Sequence, residues 1–217
     1  VGRVGPAPRL IPLELTTITP AGRKEFHVEV LEHPKLTAQL VAVAAFNSLV
    51  ANVVYNEGMT FQLSGQIELR GHSAVNLENM FAPTDLPVPD GFFVVTTVQG
   101  IFTRIFTNPY ERARIERITL RIEAAPERRL AIIDTAWSEK SEVSPGEAIN
   151  VKVLLRPYRG APFIREVPIV IPAQVPRGPL RILVSDSDTL NRMSRFFSLG
   201  PQSRLAGLEQ LITLLNR

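Results

Sequence analysis

The chain has 217 residues, a hydrophobic fraction of 45% and a formal net charge of +3, with basic and acidic residues interspersed. This length suits one large domain or two small ones, and the composition is that of a globular protein. A nucleic-acid binder usually carries a one-signed basic stripe with stacking aromatics, which this sequence lacks. The absence of cysteine excludes disulfides and thiolate metal sites.

The N-terminal region predicts a β-hairpin after a lead-in rich in Gly, Pro and Arg over residues 1–9. Strands are expected over approximately Leu10–Thr19 and Lys24–Leu31, because the Thr-Pro-Ala-Gly sequence at 19–22 favours a tight reversal. No signal peptide is recognisable, and a first residue other than Met suggests a fragment or a processed form of a longer protein.

An uncharged segment extends from Leu36 to Asn56. It is long enough to span a membrane, but its Asn and Gln side chains would have to be hidden from lipid. We therefore expect a buried helix packed on the N-terminal sheet, and no membrane span. The residues expected to form its apolar stripe are Leu36, Leu40, Val43, Phe46, Val50, Val53 and Val54.

Alternation of apolar and polar residues over Thr60–Arg70 predicts a third strand. A loop is expected from Gly71 to about Asp90, because prolines interrupt it. Asp90 is then expected to cap a helix that reaches about Thr107, with a strand as the alternative because the segment is rich in β-branched residues.

The second half predicts short strands joined by Pro/Gly turns, a pattern typical of an immunoglobulin-like β-sandwich. A C-terminal helix is expected over about Ser203–Asn216. The expected fold class is α+β, with a mixed sheet and one or two packed helices over residues 1–110, then the sandwich and the C-terminal helix over residues 111–217. The expected strands of the sandwich lie near Ile118–Glu123, Leu130–Trp137, Ile149–Leu155, Phe163–Ile171 and Leu180–Val184.

Three runs, at residues 70–75, 151–160 and 178–192, resemble the region downstream of the peptidase domain in large exported bacterial proteins of the SpoIVB-like serine peptidase family. The likeness covers most of residues 25–217. The family's Gly-Met-Ser-Gly-Ser-Pro type nucleophile motif has no match, so no catalytic residue is carried over. The resemblance implies a non-catalytic structural or protein-interaction module outside the cytoplasm, periplasmic or secreted. The implied partner is a protein or peptide, including the parent's own peptidase domain.

Two residue groups offer chemistry as alternatives. His72 and Ser73 could serve a serine hydrolase or peptidase, with Glu68 or Glu78 orienting the imidazole, although neighbours in an extended chain seldom face one another. The competing interpretation is a loop that these side chains hold by hydrogen bonds.

Asp186 and Asp188 form the second group, because two carboxylates at this spacing could bind a hard cation such as Ca²⁺. The glycine and the closing glutamate of an EF-hand loop are missing. The competing interpretation is a carboxylate that accepts backbone N–H groups at a turn. We expect no cofactor, no metal site and no catalytic residue in this chain, with these two groups as the alternatives.

Overall fold

The computed structural model describes residues 7–51, 58–83, 89, 91–187, 189, 190, 193 and 207–216. It is an α+β structure that divides into two compact units: residues 1–128 together with 205–217, and residues 129–204. The elements of the first unit are β1 (Leu10–Thr19), β2 (Gly22–Leu31), α1 (Thr37–Val50), β3 (Thr60–Leu69), β4 (Val75–Phe81), α2 (Gly91–Phe106), β5 (Ile115–Ala125) and the C-terminal α3 (Leu208–Leu215).

The first unit is built on a five-stranded mixed sheet in the order β2-β1-β5-β3-β4. The expected hairpin forms β1 and β2, which pair from Leu10–Leu31 to Thr19–Gly22. β5 lies at the centre, parallel to β1 and antiparallel to β3. Because side chains alternate between the faces of a strand, the register collects the apolar residues on one face. One row across that face is formed by Leu13, Ile118, Ile67 and Val75.

The three helices contribute buried residues to a core on this apolar face. α2 confirms the expected helix, since Val94, Val98 and Phe102 are fully buried along one side. Asp90, its expected cap, lies outside the described residues. The opposite face of the sheet carries polar side chains, among them Arg117, which pairs with Glu14 on the neighbouring strand at 3.2 Å. In the described ranges, no helix combines the length and the hydropathy that a bilayer crossing requires.

α1 is a helix as expected, but the expectation about its buried side was wrong. The five members of the expected stripe that lie in the described residues are 41–54% exposed. The small residues on the other side face the core instead, because a helix packs closest to its neighbours through small side chains. The spacing of the apolar residues could not show which side of α1 is buried, since both sides of this helix are apolar. The buried residues are Thr37, Ala38, Val41, Ala42, Ala45, Ser48 and Leu49.

The domain boundary expected at residue 110 differs from the division of the structure. The strand expected near Ile118–Glu123 belongs to β5, which fills the centre of the first sheet. α3 also belongs to the first unit, where Leu208 and Ile212 enter the core. A local sequence pattern identifies a strand but does not reveal its distant partner, which explains the misplacement.

The second unit contains a three-stranded antiparallel sheet of β6 (Ala131–Ser138), β7 (Ala148–Pro157) and β8 (Phe163–Val170), in that order. Its core is small, with Ile149, Val151, Val153 and Ile171 buried. The expected strand near Leu180–Val184 has no regular secondary structure. Three of the five strands expected for the sandwich therefore form this sheet.

β4 was missed, because the segment from Gly71 to Asp90 was expected to be a loop. Only Val75 and Leu77 alternate there as apolar residues, and Glu78, Asn79 and Met80 are exposed. Within the described residues β4 is an edge strand whose one partner is β3, so few of its side chains needed to be apolar.

Gly65 in β3 offers a test of packing within the sheet. A Cβ at this position would collide with the carbonyl oxygen of Thr119 on β5, and the backbone of a central strand cannot move away. We expect Gly65→Ala to lower the free energy of unfolding by about 1–3 kcal/mol, measured by urea denaturation. Gly100→Ala in α2, where no atom lies within 4 Å of the added carbon, should instead raise it by up to about 1 kcal/mol. Equal effects of the two substitutions would contradict this packing.

Thr17 in β1 offers a second test. Its side chain is fully buried, and its hydroxyl has no hydrogen-bond partner in the described part of the chain. We expect Thr17→Val to raise the free energy of unfolding by about 1 kcal/mol, because an unsatisfied buried hydroxyl is costly. Thr60→Val is the matched control and should destabilise the protein, since the hydroxyl of Thr60 donates to the carbonyl of Glu127 at 2.7 Å.

Candidate functional site

His72 and Ser73 lie in the turn between β3 and β4. Gly71 is the third residue of the tight turn over residues 69–72 and has a φ of 76°, a conformation that residues with side chains rarely adopt. The His72 backbone N–H closes it on the carbonyl of Leu69 at 3.3 Å. The turn directs both side chains toward the first turn of α3.

Both side chains bind Glu209 of α3. The Ser73 hydroxyl donates to Oε1 of Glu209, and its backbone N–H donates to Oε2 at 3.4 Å. Nδ1 of His72 lies 3.2 Å from the same Oε2. We call His72, Ser73, Glu111 and Glu209 the Glu209 cluster, because Nε2 of His72 also lies 3.4 Å from Oε1 of Glu111.

The Glu209 cluster differs from a Ser–His–acid triad in the direction of its hydrogen bonds. In a triad the serine hydroxyl donates to the imidazole, which in turn donates to the acid. Here the Ser73 hydroxyl donates to the carboxylate, and both ring nitrogens of His72 face carboxylates. Neither expected orienting group, Glu68 nor Glu78, is among the described ion-pair partners of His72.

The same turn holds the other end of α3. The amide oxygen of Asn216 accepts from the backbone N–H of Asn76 at 2.7 Å, and its amide nitrogen donates to the carbonyl of Ala74 at 3.0 Å. Together with Glu209, these contacts fix both ends of a helix whose Leu208 and Ile212 are buried. The geometry therefore supports the interpretation of His72 and Ser73 as part of a hydrogen-bonded loop, which docks α3 together with the first residues of β4.

The other histidines lie elsewhere. Nδ1 of His33 accepts the backbone N–H of Lys35 at 3.2 Å, next to the start of α1. His27 is opposite Glu14 in the hairpin register, on an exposed strand.

Asp186 accepts hydrogen bonds at a turn. Its Oδ1 accepts the backbone N–H of Thr189 at 2.8 Å, and its Oδ2 accepts the Thr189 hydroxyl at 2.7 Å. The bonds from Thr189 hold the pKa of Asp186 below its ordinary value of 3.8. Asp188 lies outside the described residues. Within the described ranges, no group of three or more potential ligands could hold a metal ion.

The described residues also include two exposed apolar surfaces. One is the outer side of α1 with the adjoining groove beside β2, and the other is β8 at the edge of the second sheet. The exposed surface of α1 could have been predicted from the sequence. The uncharged segment has two apolar stripes at helical spacing, and a helix on a sheet buries only one of them.

No protein-family model matches the sequence, and no curated protein or solved structure is significantly similar to the chain.

The pKa of Glu209 provides a test of α3 docking. The hydrogen bond from the Ser73 hydroxyl is the main cause that holds this pKa below its ordinary value of 4.5, while desolvation opposes the shift. A carboxyl group with a lowered pKa in the folded state stabilises that state fully above its unfolded pKa. This contribution is lost as the pH falls through the folded pKa.

We expect Glu209→Gln to reduce the free energy of unfolding at neutral pH, and the difference from wild type to shrink as the pH falls below about 4.5. Urea denaturation across this range measures both quantities. Glu116→Gln, an exposed carboxylate 3.7 Å from Arg70, is the control and should show little difference at any pH. A constant Glu209→Gln difference across the range would argue against the docking contact.

Proposed function

We propose that the chain is a non-catalytic protein-interaction module of an exported bacterial peptidase-like protein, and that it binds an extended peptide segment along β8. The observation that carries this proposal is the position of β8. It ends the three-stranded sheet, and four of its apolar side chains are 40–68% exposed: Phe163, Ile164, Val167 and Val170.

The backbone of β8 supports strand addition. Just beyond β8, the Ile171 N–H donates to the carbonyl of Glu147 at 2.8 Å, and its carbonyl accepts the Gly146 N–H at 2.9 Å. Antiparallel strands alternate between inward and outward backbone groups, so residues 164, 166, 168 and 170 present theirs away from β7. Pro168 falls on the outward set, where its missing N–H costs the sheet no hydrogen bond.

The side chains add selectivity. Val167 pairs with Val151 and Phe163 pairs with Leu155, so Val167 and Phe163 lie on one face of the sheet. Ile164 pairs with Leu154 and lies on the opposite face. An extended segment with apolar residues on both faces would extend these surfaces. The prolines and the charged pair Arg165 and Glu166 oppose uncontrolled edge pairing, which favours one specific partner.

The proposal extends to context and architecture. The resemblance implies a module beside a peptidase domain outside the cytoplasm, so the parent's peptidase domain is the first partner to test. The immunoglobulin-like character is part of the same proposal: three antiparallel strands with one face buried in a core are what one half of such a sandwich contains.

The experiment uses the outward N–H of Glu166. We expect Glu166→Pro to weaken binding of the full chain at least tenfold, because it removes a donor to an added strand and leaves the β7 bonds intact. Glu166→Ala is the control, since it removes the same side chain but keeps the N–H, and should bind like wild type. Binding is measured by isothermal titration with a ten-residue peptide of alternating valine and threonine and with the peptidase domain. No heat with either partner would refute the proposal.

A serine hydrolase is the second candidate, because the structure brings Ser73, His72 and a carboxylate together. Treatment with a fluorophosphonate probe distinguishes the two functions. We expect no label on wild type, since the Ser73 hydroxyl donates to Glu209 and not to the imidazole. Labelling that disappears in Ser73→Ala would favour the hydrolase.

A further inference from the structure

α1 presents a large apolar surface on the side away from the core. Its members are 41–54% exposed, and we call them the outer stripe: Leu36, Leu40, Val43, Phe46 and Val50. A single exposed apolar residue is common, whereas five aligned on one helix face indicate an interaction surface.

The outer stripe adjoins a groove of about 420 Å³ between α1 and β2. Phe26, Val28 and Val30 of β2 line one side of the groove, and Leu40 and Val43 of α1 line the other. Among the described lining residues, Glu29 is the only ionisable one, and Asn47 and Ser48 are polar. The surface therefore extends from the helix across the outermost strand of the sheet, and most of it is apolar.

The spacing within the outer stripe is symmetric about Val43. Leu40 and Phe46 lie three residues before and after Val43, and Leu36 and Val50 lie seven residues before and after it. A twofold axis through Val43 would place Leu40 against Phe46 of a second copy and Leu36 against its Val50. Self-complementarity of this kind is what a closed symmetric dimer requires.

The charges also fit an antiparallel pair. α1 has no acidic residue in its first turn and no basic residue in its last turn, so neither end of its helix dipole is compensated within the helix. Lys35 precedes α1 and is exposed. In an antiparallel pair the Lys35 of each copy approaches the C-terminal end of the other copy's α1, where a cation is favourable.

We propose that two copies of this chain associate through the outer stripe, with their α1 helices antiparallel about a twofold axis at Val43. The exposed backbone edge of β2 is a poorer route to association, because Arg23, Lys24 and Glu25 place charge along that strand. The surface lies in the first unit and β8 in the second, so the two proposals rest on different residues. The dimer surface is a second interaction surface beside the one in the proposed function.

The oligomeric state of the full chain is the first test. We expect a concentration-dependent dimer by sedimentation equilibrium, and at least a 100-fold weaker dimer for Val43→Glu, which places two carboxylates at the axis. Val43 is 54% exposed, so at concentrations where both proteins are monomeric the substitution should leave the thermal unfolding midpoint nearly unchanged. Met80→Glu, at an equally exposed apolar residue of β4, is the control and should dimerise like wild type.

Engineered cysteines test the geometry, because the chain has no cysteine of its own. Under mild oxidation, Val43→Cys should form a disulfide-linked dimer, since equivalent residues meet at the axis. The Leu36→Cys variant alone should not form a disulfide-linked dimer. A mixture of the Leu36→Cys and Val50→Cys variants should form a cross-linked heterodimer. Cross-linking of Leu36→Cys with itself would indicate a parallel pair and overturn the proposal.

Two further outcomes would contradict the proposed dimer. A wild-type chain that stays monomeric at high concentration would refute the association. A monomeric chain that floats with phosphatidylcholine vesicles, and loses this property in Val43→Glu, would assign the outer stripe to a lipid surface instead.

Discussion

The pairing of β5 with both β1 and β3 is the constraint on which the first unit depends. Without β5, the sheet would separate into two hairpins, β1-β2 and β3-β4, each with an uncovered edge. Ile118, Leu120 and Ile122 of β5 are fully buried beneath the helices, so the same strand supplies backbone hydrogen bonds to both neighbours and apolar area to the core. The close approach of Gly65 to β5 is a local result of this arrangement.

The local elements could be predicted from the sequence far better than their partners. The reversal at residues 19–22 identified the hairpin of β1 and β2, alternation identified β3 and β5, and helical spacing identified α1 and α2. The long-range pairing of β5 with β1 could not be predicted, since nothing in either strand specifies a partner about a hundred residues away. The buried side of α1 was predicted wrongly for a related reason. The small residues of α1 pack against the core, whereas the sequence pattern favoured the larger apolar residues.

The contacts of the candidate site also depend on a long-range partner that the sequence does not specify. His72 and Ser73 stood out as neighbours with chemical potential, but their shared partner, Glu209, is separated from Ser73 by 136 positions. Only the docking of α3 brings the carboxylate to the turn and decides the direction of the hydrogen bonds. Asp186 was different, because its partner Thr189 is three residues away, and one of its two weighed interpretations already described such a turn.

The return of α3 to the first unit has a consequence for synthesis of the chain. The second unit is inserted between β5 and α3, so the ribosome completes all five strands of the first sheet well before the helix that covers part of its core. Until Leu208 and Ile212 emerge, the nascent sheet exposes apolar side chains, and a chaperone could bind there. The second unit is synthesised during this interval, so the core of the first unit can close only after the second unit has been made.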